Sequence, residues 1–259
     1  MDLNALLKDY KQMVENRIEE LFPEADCSYN EVIKAARYSL LNGGKRIRPV
    51  IMMEFCKLCG GNPKDALDFA VALELIHTYS LIHDDLPCMD NDDMRRGKPS
   101  CHKAFGEDIA LLSGDALLTE AFFVASNARV SAEKRLNAIS FLSTNAGVHG
   151  MIGGQVLDLS FEENKPDAAA LQDMYMRKTG ALLIAAASIG CISAGKYDQE
   201  TLKSAAKYGY NLGLAFQIVD DILDVTANEE VLGKPVGSDD KNNKTTFVSL
   251  YGLSEAFAI

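Results

Sequence analysis

Apolar residues recur at helical spacing along nearly the whole chain, and the alternation typical of strands is hard to find. In the first segment they occupy every third or fourth position, at Leu3, Leu6, Leu7, Tyr10, Val14, Ile18 and Leu21. This pattern predicts a first helix that Pro23 ends. Further helices are predicted over residues 30–41, 48–59, 63–86, 108–128, 132–148, 171–194 and 199–223. No longer period repeats, so the sequence predicts a single all-α domain over residues 1–259.

Composition and charge exclude several classes of protein. Hydrophobic residues make up 47% and charged residues 24% of the chain, which is a globular rather than a disordered composition. The net charge of -11 argues against a nucleic-acid partner, because such proteins carry a basic face. The N-terminus mixes charged with apolar residues, unlike a signal peptide, and the apolar run 181–194 is too short to span a bilayer. We therefore expect a cytoplasmic protein without membrane insertion.

The cysteines do not have the spacing of a disulfide framework. They are Cys27, Cys56, Cys59, Cys88, Cys101 and Cys191. Cys56 and Cys59 form a lone Cys-x-x-Cys pair, whereas a structural zinc site needs a second pair of ligands. The sequence therefore predicts reduced, mostly buried thiols.

The segment from His83 to Gly97 concentrates carboxylates. It contains Asp84, Asp85, Asp90, Asp92 and Asp93, followed at once by Arg95 and Arg96. Clustered carboxylates repel one another unless a cation or protons compensate, and Mg2+ prefers such oxygen ligands. Pro87 ends the preceding helix, which places Asp84 and Asp85 in its last turn and Asp90 in the loop beyond. Taken alone, the segment could equally be a solvated acidic loop.

A second acidic group lies in the apolar helical pattern near the end of the chain. Its members are Asp220, Asp221 and Asp224, with Gln217 one turn earlier. Asp220 and Asp224 are four residues apart and share one helix face. Buried carboxylates without a basic neighbour are costly unless they bind a metal. Two such groups, each ending a long apolar helix, predict two walls of one metal-filled cavity.

Basic residues form a third element. Gly43 and Gly44 precede Lys45, Arg46 and Arg48 at the start of a predicted helix, where backbone N–H groups and cations form an anion site. Weaker candidates are Lys178, Thr179, Lys234, Asp239, Lys244 and Thr245. His77 lies two helical turns before Asp84, on the same face, which favours a phosphate contact over a core histidine.

Taken together, these segments resemble the trans-polyprenyl diphosphate synthases. The matching stretches are GGKRIRP, ELIHTYSLIHDDLPCMDNDDMRRGKPSCHKAFGE, LLSGDALLTEAF, GMIGGQVLDL, KTGALL, FQIVDDILDV and LGKPVGSDDKNNKTTF, in family order. The chain is most similar to the bacterial-type farnesyl diphosphate synthases, with geranylgeranyl diphosphate synthases next. The Asp-Asp-x4-Asp spacing of the first motif is typical of the bacterial-type branch.

The resemblance implies an all-α bundle of mainly antiparallel helices around a deep central cavity, a homodimer, and three Mg2+ ions per site. It assigns the metal to Asp84, Asp90 and Asp220 directly, with Asp85, Asp221 and Asp224 in support. It assigns the diphosphate of isopentenyl diphosphate to Lys45, Arg48, His77 and Arg96. It assigns the allylic diphosphate to Arg95, Lys178, Thr179, Gln217 and Lys234. Gln155 and Asp158 resemble polar residues of the cavity wall, and the catalytic set comprises Asp84, Asp85, Asp90, Lys178 and Asp220.

The resemblance further implies condensation of isopentenyl diphosphate with dimethylallyl or geranyl diphosphate to give farnesyl diphosphate. Tyr79, five residues before Asp84, is expected to form the cavity floor, while the small Ser80 leaves room for the growing chain. If Tyr79 merely packs between helices, a deeper residue sets the stop and the product is geranylgeranyl diphosphate. Family members continue through one or two helices beyond Leu250, so the chain is expected to lack them.

Three other interpretations fit less well. A di-iron bundle would use Glu74-x-x-His77 but needs a second Glu-x-x-His pair, which the sequence lacks. A terpene cyclase shares the first Asp motif but differs from the chain in the second. A non-catalytic partner subunit of a prenyltransferase is expected to have lost one Asp motif, whereas both are intact here.

Overall fold

The computed structural model describes residues 3–23, 26–226 and 244–258, and helices dominate these ranges. The helices are α1 (Leu3–Leu21), α2 (Asn30–Leu41), α3 (Ile47–Leu58), α4 (Pro63–Asp84), α5 (Cys101–Phe105), α6 (Glu107–Ser126), α7 (Ala132–Ala146), α8 (Met151–Glu163), α9 (Ala168–Tyr175), α10 (Ala181–Ser193), α11 (Gln199–Thr226), α12 (Phe247–Tyr251) and α13 (Leu253–Ala256). Strands β1 (Met94–Arg95) and β2 (Lys98–Pro99) pair antiparallel as a short ribbon. A π-helical turn, Met176–Gly180, joins α9 to α10 and is called the π-turn below.

The chain forms two compact units, and the boundary between them falls within α7 and at two points around α10. Unit 1 consists of Met1–Ser140 and Ser188–Asp198. Unit 2 consists of Phe141–Ala187 and Gln199–Ile259. That the whole chain is one domain stays a prediction.

Helix α4 is the central helix of unit 1. Its start is fixed by Asn62, whose side chain accepts a hydrogen bond from the Lys64 backbone N–H at 3.0 Å, and by Pro63 in the first turn. Every residue from Phe69 to Ile76 is buried, because α1, α3 and α6 pack against this helix. The same packing holds its last residue, Asp84, at a defined position.

In unit 2, glycines let two helices approach the π-turn closely. A Cβ on Gly154 of α8 would lie 2.2 Å from the backbone N of Lys178, and one on Gly213 of α11 would lie 2.7 Å from the Cα of Gly180. A side chain at either position would force the elements apart. The π-turn is therefore clamped between α8 and α11, and such turns occur frequently at functional sites.

Most helix bounds agree with the predicted ones within three residues. Residues 171–194 are the exception, because the π-turn interrupts the single helix that their apolar pattern predicts. The pattern also missed the β ribbon, α5 and α8. In α8, Gly153 and Gly154 lower the helix propensity, yet the contact with the π-turn requires a small residue there.

Helix α6 is long and apolar enough to cross a membrane by length and composition, alone in this respect among the helices of the described ranges. It packs against α2, α4 and α5 within unit 1, and 39% of its most apolar stretch is buried. Core helices of globular proteins share these properties, so α6 does not identify a membrane span.

Candidate active site

The first Asp motif forms the end of α4 and a tight loop after it. The Asp90 backbone N–H donates to the Asp84 carbonyl at 2.9 Å, and that of Asn91 donates to the Leu86 carbonyl at 3.1 Å. Asn91 has a φ of 52°, a left-handed conformation that Asn tolerates better than most residues. The loop therefore folds back, with Asp84 half-buried and Asp90 exposed.

The carboxylate of Asp85 is buried and paired with Arg95. The Arg95 Nε lies 3.0 Å from Oδ1 and 3.2 Å from Oδ2, and the Arg95 Nη2 also contacts Oδ1. Burial raises the pKa of the Asp85 carboxyl, although the Arg95 guanidinium acts in the opposite direction. In the structure, therefore, Asp85 holds Arg95 against the end of α4.

The carboxylates of this loop fit a hard divalent cation by their chemistry and their access to solvent. Asp84 and Asp90 offer oxygen ligands of the kind that Mg2+ prefers, and neither is fully buried. Within the described ranges, however, no three Asp, Glu, His or Cys side chains are already grouped as a metal site. A bound cation would therefore have to draw these carboxylates together.

An arginine cluster in unit 1 consists of Arg46 and Arg48 at the start of α3 and Arg96 in the β ribbon, near His77 of α4. Arg48 Nη1 is 3.5 Å from Nε2 of His77, and Arg96 Nη1 donates to the Gly43 carbonyl at 2.8 Å. Burial and then the charges of Arg48 and Arg96 hold the pKa of His77 well below its usual range, so this imidazole is neutral at pH 7. The structure thus brings together three of the residues assigned to one diphosphate, whereas Lys45 of the same set is exposed beside them.

Arg46, for which the sequence predicted no separate role, has a fully buried side chain. Its Nη1 lies 2.7 Å from Oε1 of Glu74, itself 3% exposed, and its Nη2 lies 3.2 Å from Oε1 of Glu15. Arg46 has a left-handed φ of 52° at the N-cap of α3. Its guanidinium and that of Arg96 both approach Gly44, where a Cβ would lie about 3 Å from each. The acid of the Glu74-x-x-His77 pair is therefore a counter-charge for the cluster.

A cavity of about 240 Å³ in unit 2 gathers residues of the second assigned set. Its polar lining includes Asp158, Lys178, Thr179, Gln217, Asp220, Asp221, Lys244, Thr245 and Thr246. The Lys178 Nζ lies 2.5 Å from Oδ2 of Asp158, and the Thr179 hydroxyl donates to Oε1 of Gln217 at 2.7 Å. Lys178 and Thr179 both belong to the π-turn, which therefore presents them together to the cavity.

The remaining members of the second Asp motif are more buried than Asp220. Both oxygens of Asp221 accept hydrogen bonds from the Tyr175 hydroxyl, at 2.9 and 3.0 Å, and Oδ2 also accepts from the Phe247 backbone N–H at 2.8 Å. Asp224 is 2% exposed. Asp220 is half-buried and lines the cavity, so it is the most accessible carboxylate of the three.

The residues predicted to form the wall and floor of the cavity are half-buried or buried. Gln155 of α8 is half-buried, and its Nε2 makes no hydrogen bond within the part of the chain that the structure describes. Tyr79 is buried with its ring edge against His83, and the Ser80 hydroxyl donates to the His77 carbonyl at 2.9 Å.

Lys234 and Asp239 lie outside the described residues. Lys244, a weak candidate by sequence, lies in the cavity; the motif KNNKTTF is the signal that marks it.

Comparison with known proteins places these features in a family. The polyprenyl synthetase family matches residues 30–258. Geranylgeranyl pyrophosphate synthase 9 of Arabidopsis thaliana, a chloroplastic protein, is 49% identical over 85% of this chain and 62% of its own length. Farnesyl diphosphate synthase of Bacillus subtilis is 44% identical over 98% of this chain and 86% of its own length. The chain thus spans less than two thirds of the Arabidopsis protein.

Solved structures agree with this assignment. A geranyltransferase of Helicobacter pylori, complexed with magnesium and isoprenyl diphosphate, superposes with a TM-score of 0.87 at 35% identity. The match covers 100% of this chain and 87% of that one. The all-α fold and the resemblance noted in the sequence are both confirmed. The chain belongs to the polyprenyl synthetase family.

Proposed function

We propose that the protein is a magnesium-dependent prenyltransferase that condenses isopentenyl diphosphate with an allylic diphosphate. The observation that carries the proposal is the arginine cluster around His77. Arg46 is buried, Arg48 half-buried and Arg96 exposed, and the three lie close together with Glu74 as a near counter-charge. Such an excess of positive charge needs an anion, and a diphosphate supplies it.

The second set of residues is proposed to bind the allylic diphosphate. Lys178 and Lys244 offer cations in the cavity of unit 2, while Thr179 and Gln217 form a hydrogen-bonded pair beside them. When bound, Mg2+ would neutralise charge on the departing diphosphate, and Asp84, Asp90 and Asp220 would hold it, supported by Asp85, Asp221 and Asp224. Lys234, Arg95 and Lys45 complete the proposed set of diphosphate contacts.

In the proposed reaction, these residues bind and orient the two diphosphates. The allylic carbon–oxygen bond breaks, the double bond of isopentenyl diphosphate forms the new carbon–carbon bond, and the released diphosphate accepts the proton. Neutral His77 and the charged Arg48 and Arg96 hold the nucleophile's diphosphate, so that its double bond keeps one orientation. The reaction also requires that water be kept from the allylic cation, because water would trap the cation as an alcohol.

Farnesyl diphosphate is the proposed product. Tyr79 is 5% exposed and packs its ring against His83 at a centroid distance of 5.6 Å, which suits a rigid floor. Burial, followed by the charge of Asp84, raises the pKa of the Tyr79 hydroxyl to about 12, so the ring stays uncharged. Geranylgeranyl diphosphate is the second candidate, because the Arabidopsis relative bears that name.

We further propose a cytoplasmic homodimer without membrane insertion. Large apolar side chains stand exposed on α6 and α7, among them Leu112, Phe123 and Leu136. Where such side chains form one contiguous patch, the patch marks an association surface.

Product analysis tests the proposed function. The purified protein is incubated with Mg2+, isopentenyl diphosphate and dimethylallyl diphosphate, and the products are identified by mass spectrometry. We expect the fifteen-carbon diphosphate, and no product when a chelator removes the metal. A twenty-carbon product would overturn the farnesyl assignment alone, whereas an absence of prenyl products under all conditions would overturn the proposed activity.

A further inference from the structure

The carboxylate of Asp221 is held by protein donors on both of its oxygens. Tyr175 donates its hydroxyl to Oδ1 at 2.9 Å and also lies 3.0 Å from Oδ2. The Phe247 backbone N–H donates to Oδ2 at 2.8 Å. Asp221 is 4% exposed, so these bonds replace the water that an aspartate normally binds.

These bonds join three elements of unit 2. Tyr175 ends α9, Asp221 lies in α11, and Phe247 begins α12. The Phe247 ring packs against the Tyr175 ring at 5.7 Å and against the Tyr251 ring at 5.8 Å. The start of α12 is therefore fixed by one buried carboxylate and by the aromatic side chains around it.

Lys244 lies three residues before this anchor point and belongs to the diphosphate cavity. Its Nζ is 4.0 Å from Oδ2 of Asp158, the oxygen that also accepts from Lys178. The side chain of Thr246, between Lys244 and Phe247, caps α12 by accepting from the Ser249 backbone N–H at 3.1 Å. The backbone that carries Lys244 is thus tied down immediately after it.

We propose that Tyr175 and Asp221 are positioning residues that place Lys244 in the diphosphate cavity, and that Asp221 does not ligate the metal. The proposal rests on the proposed function. A metal on Asp221 would have to compete with a buried hydroxyl and a buried N–H for the lone pairs of the two oxygens, and a donor that it displaced would lose its partner. Asp220 lines the same cavity and is only half-buried, so its carboxylate is more accessible to a cation than that of Asp221.

A double-mutant cycle tests the link between Tyr175 and Lys244. Calorimetry measures the dissociation constant of inorganic pyrophosphate, with Mg2+ present, for the native protein, Tyr175→Phe, Lys244→Ala and the double variant. We expect Tyr175→Phe to weaken binding about tenfold in the native background and less than about twofold in the Lys244→Ala background. Equal effects in the two backgrounds would overturn the proposal.

Tyr210→Phe is the matched control. The Tyr210 hydroxyl accepts a hydrogen bond from Nε2 of Gln172 at 2.7 Å, so it also joins α9 to α11, but away from Asp221. We expect this variant to bind pyrophosphate within about twofold of the native protein. An effect as large as that of Tyr175→Phe would mean that general loosening of α9 explains both, and the proposal would fail.

Isosteric amides test whether Asp221 ligates the metal. Asp221→Asn keeps an oxygen for the two donors, so we expect the Mg2+ concentration for half-maximal pyrophosphate binding to stay within about threefold of native. Asp220→Asn should raise it about tenfold or more. A large rise for Asp221→Asn in a protein with native melting temperature would identify Asp221 as a ligand after all. Failure of the proposed function would look different, because the native protein itself would then form no prenyl product.

Discussion

Among the individual residues, the buried Glu74 stabilises the arginine cluster. Glu74 stands three residues before His77 on α4 and pairs with Arg46 in a geometry that excludes water. Burial lowers the pKa of Arg48 and of Arg96, while the charge of Glu74 acts in the opposite direction on both. Glu74 thereby offsets repulsion among cations that must stay close to bind an anion.

Replacing Glu74 with Gln should lower the free energy of unfolding by about 3–5 kcal/mol, because it leaves the buried Arg46 without its main counter-charge. Urea denaturation measures this change. Glu15→Gln is the control, since Glu15 also contacts Arg46 but is 23% exposed, and it should cost at most about 1 kcal/mol. Equal losses of unfolding free energy in the two variants would show that the buried Glu74 contributes no more to stability than the partly exposed Glu15.

The accessible aspartates carry the second prediction at this scale. Asp84→Ala and Asp220→Ala should each lower turnover by about a thousandfold or more with an unchanged circular dichroism spectrum, because each removes charge stabilisation at the leaving group. Asp93→Asn is the control, since Asp93 is exposed and paired with Lys103 at 2.9 Å. Near-normal turnover in either of the first two variants would contradict a metal held by both motifs.

Tyr79 carries the prediction on product length. Tyr79→Ala should shift the product from fifteen to twenty carbons or longer, because it removes the ring that the proposal places at the cavity floor. Mass spectrometry of the products measures the shift, and Tyr38→Ala, which changes a tyrosine of α2, is the control. An unchanged product distribution for Tyr79→Ala would place the floor elsewhere.

At the scale of the element, the π-turn is the feature with the most consequences. It breaks the helix that residues 171–194 would otherwise form and presents Lys178 and Thr179 to the same cavity. The extra residue per turn rotates the side chains relative to those of a regular helix. Gly154 and Gly213 keep α8 and α11 close enough to hold the turn in place.

Gly154→Ala should therefore lower turnover about tenfold or more, since its Cβ would displace the Lys178 backbone. Steady-state kinetics measures the loss. Ser160→Ala, at an exposed position of the same helix, is the control and should leave kcat/KM within about twofold of native. A native rate for Gly154→Ala would show that the turn tolerates movement.

At the scale of the whole molecule, the exposed apolar residues predict self-association. Phe123 is 60% exposed and Leu136 71% exposed. Analytical ultracentrifugation should find a dimer, and the double variant Phe123→Glu, Leu136→Glu should be a monomer, because a dimer interface would bury these charges. Leu58→Glu, also at an exposed leucine, should remain a dimer. A monomeric native protein would contradict the homodimer.

The all-α class, most helix bounds and the places of both Asp motifs were predictable from the sequence alone. Helical periodicity and the proline and glycine breaks are local signals, so a linear pattern suffices to read them. The position of Asp84 at the end of α4 and of Asp90 in the loop beyond was predicted in this way, and the structure agrees.

Which carboxylates of a motif are buried, and with which partners, is visible only in the folded structure. The buried Asp85 pairs with Arg95, and the buried Asp221 accepts a hydrogen bond from Tyr175, 46 positions away. Arg46 meets Glu74 across 28 positions. Such pairings depend on how helices pack, because burial removes water and makes a distant partner necessary, and no local pattern records which partner that is.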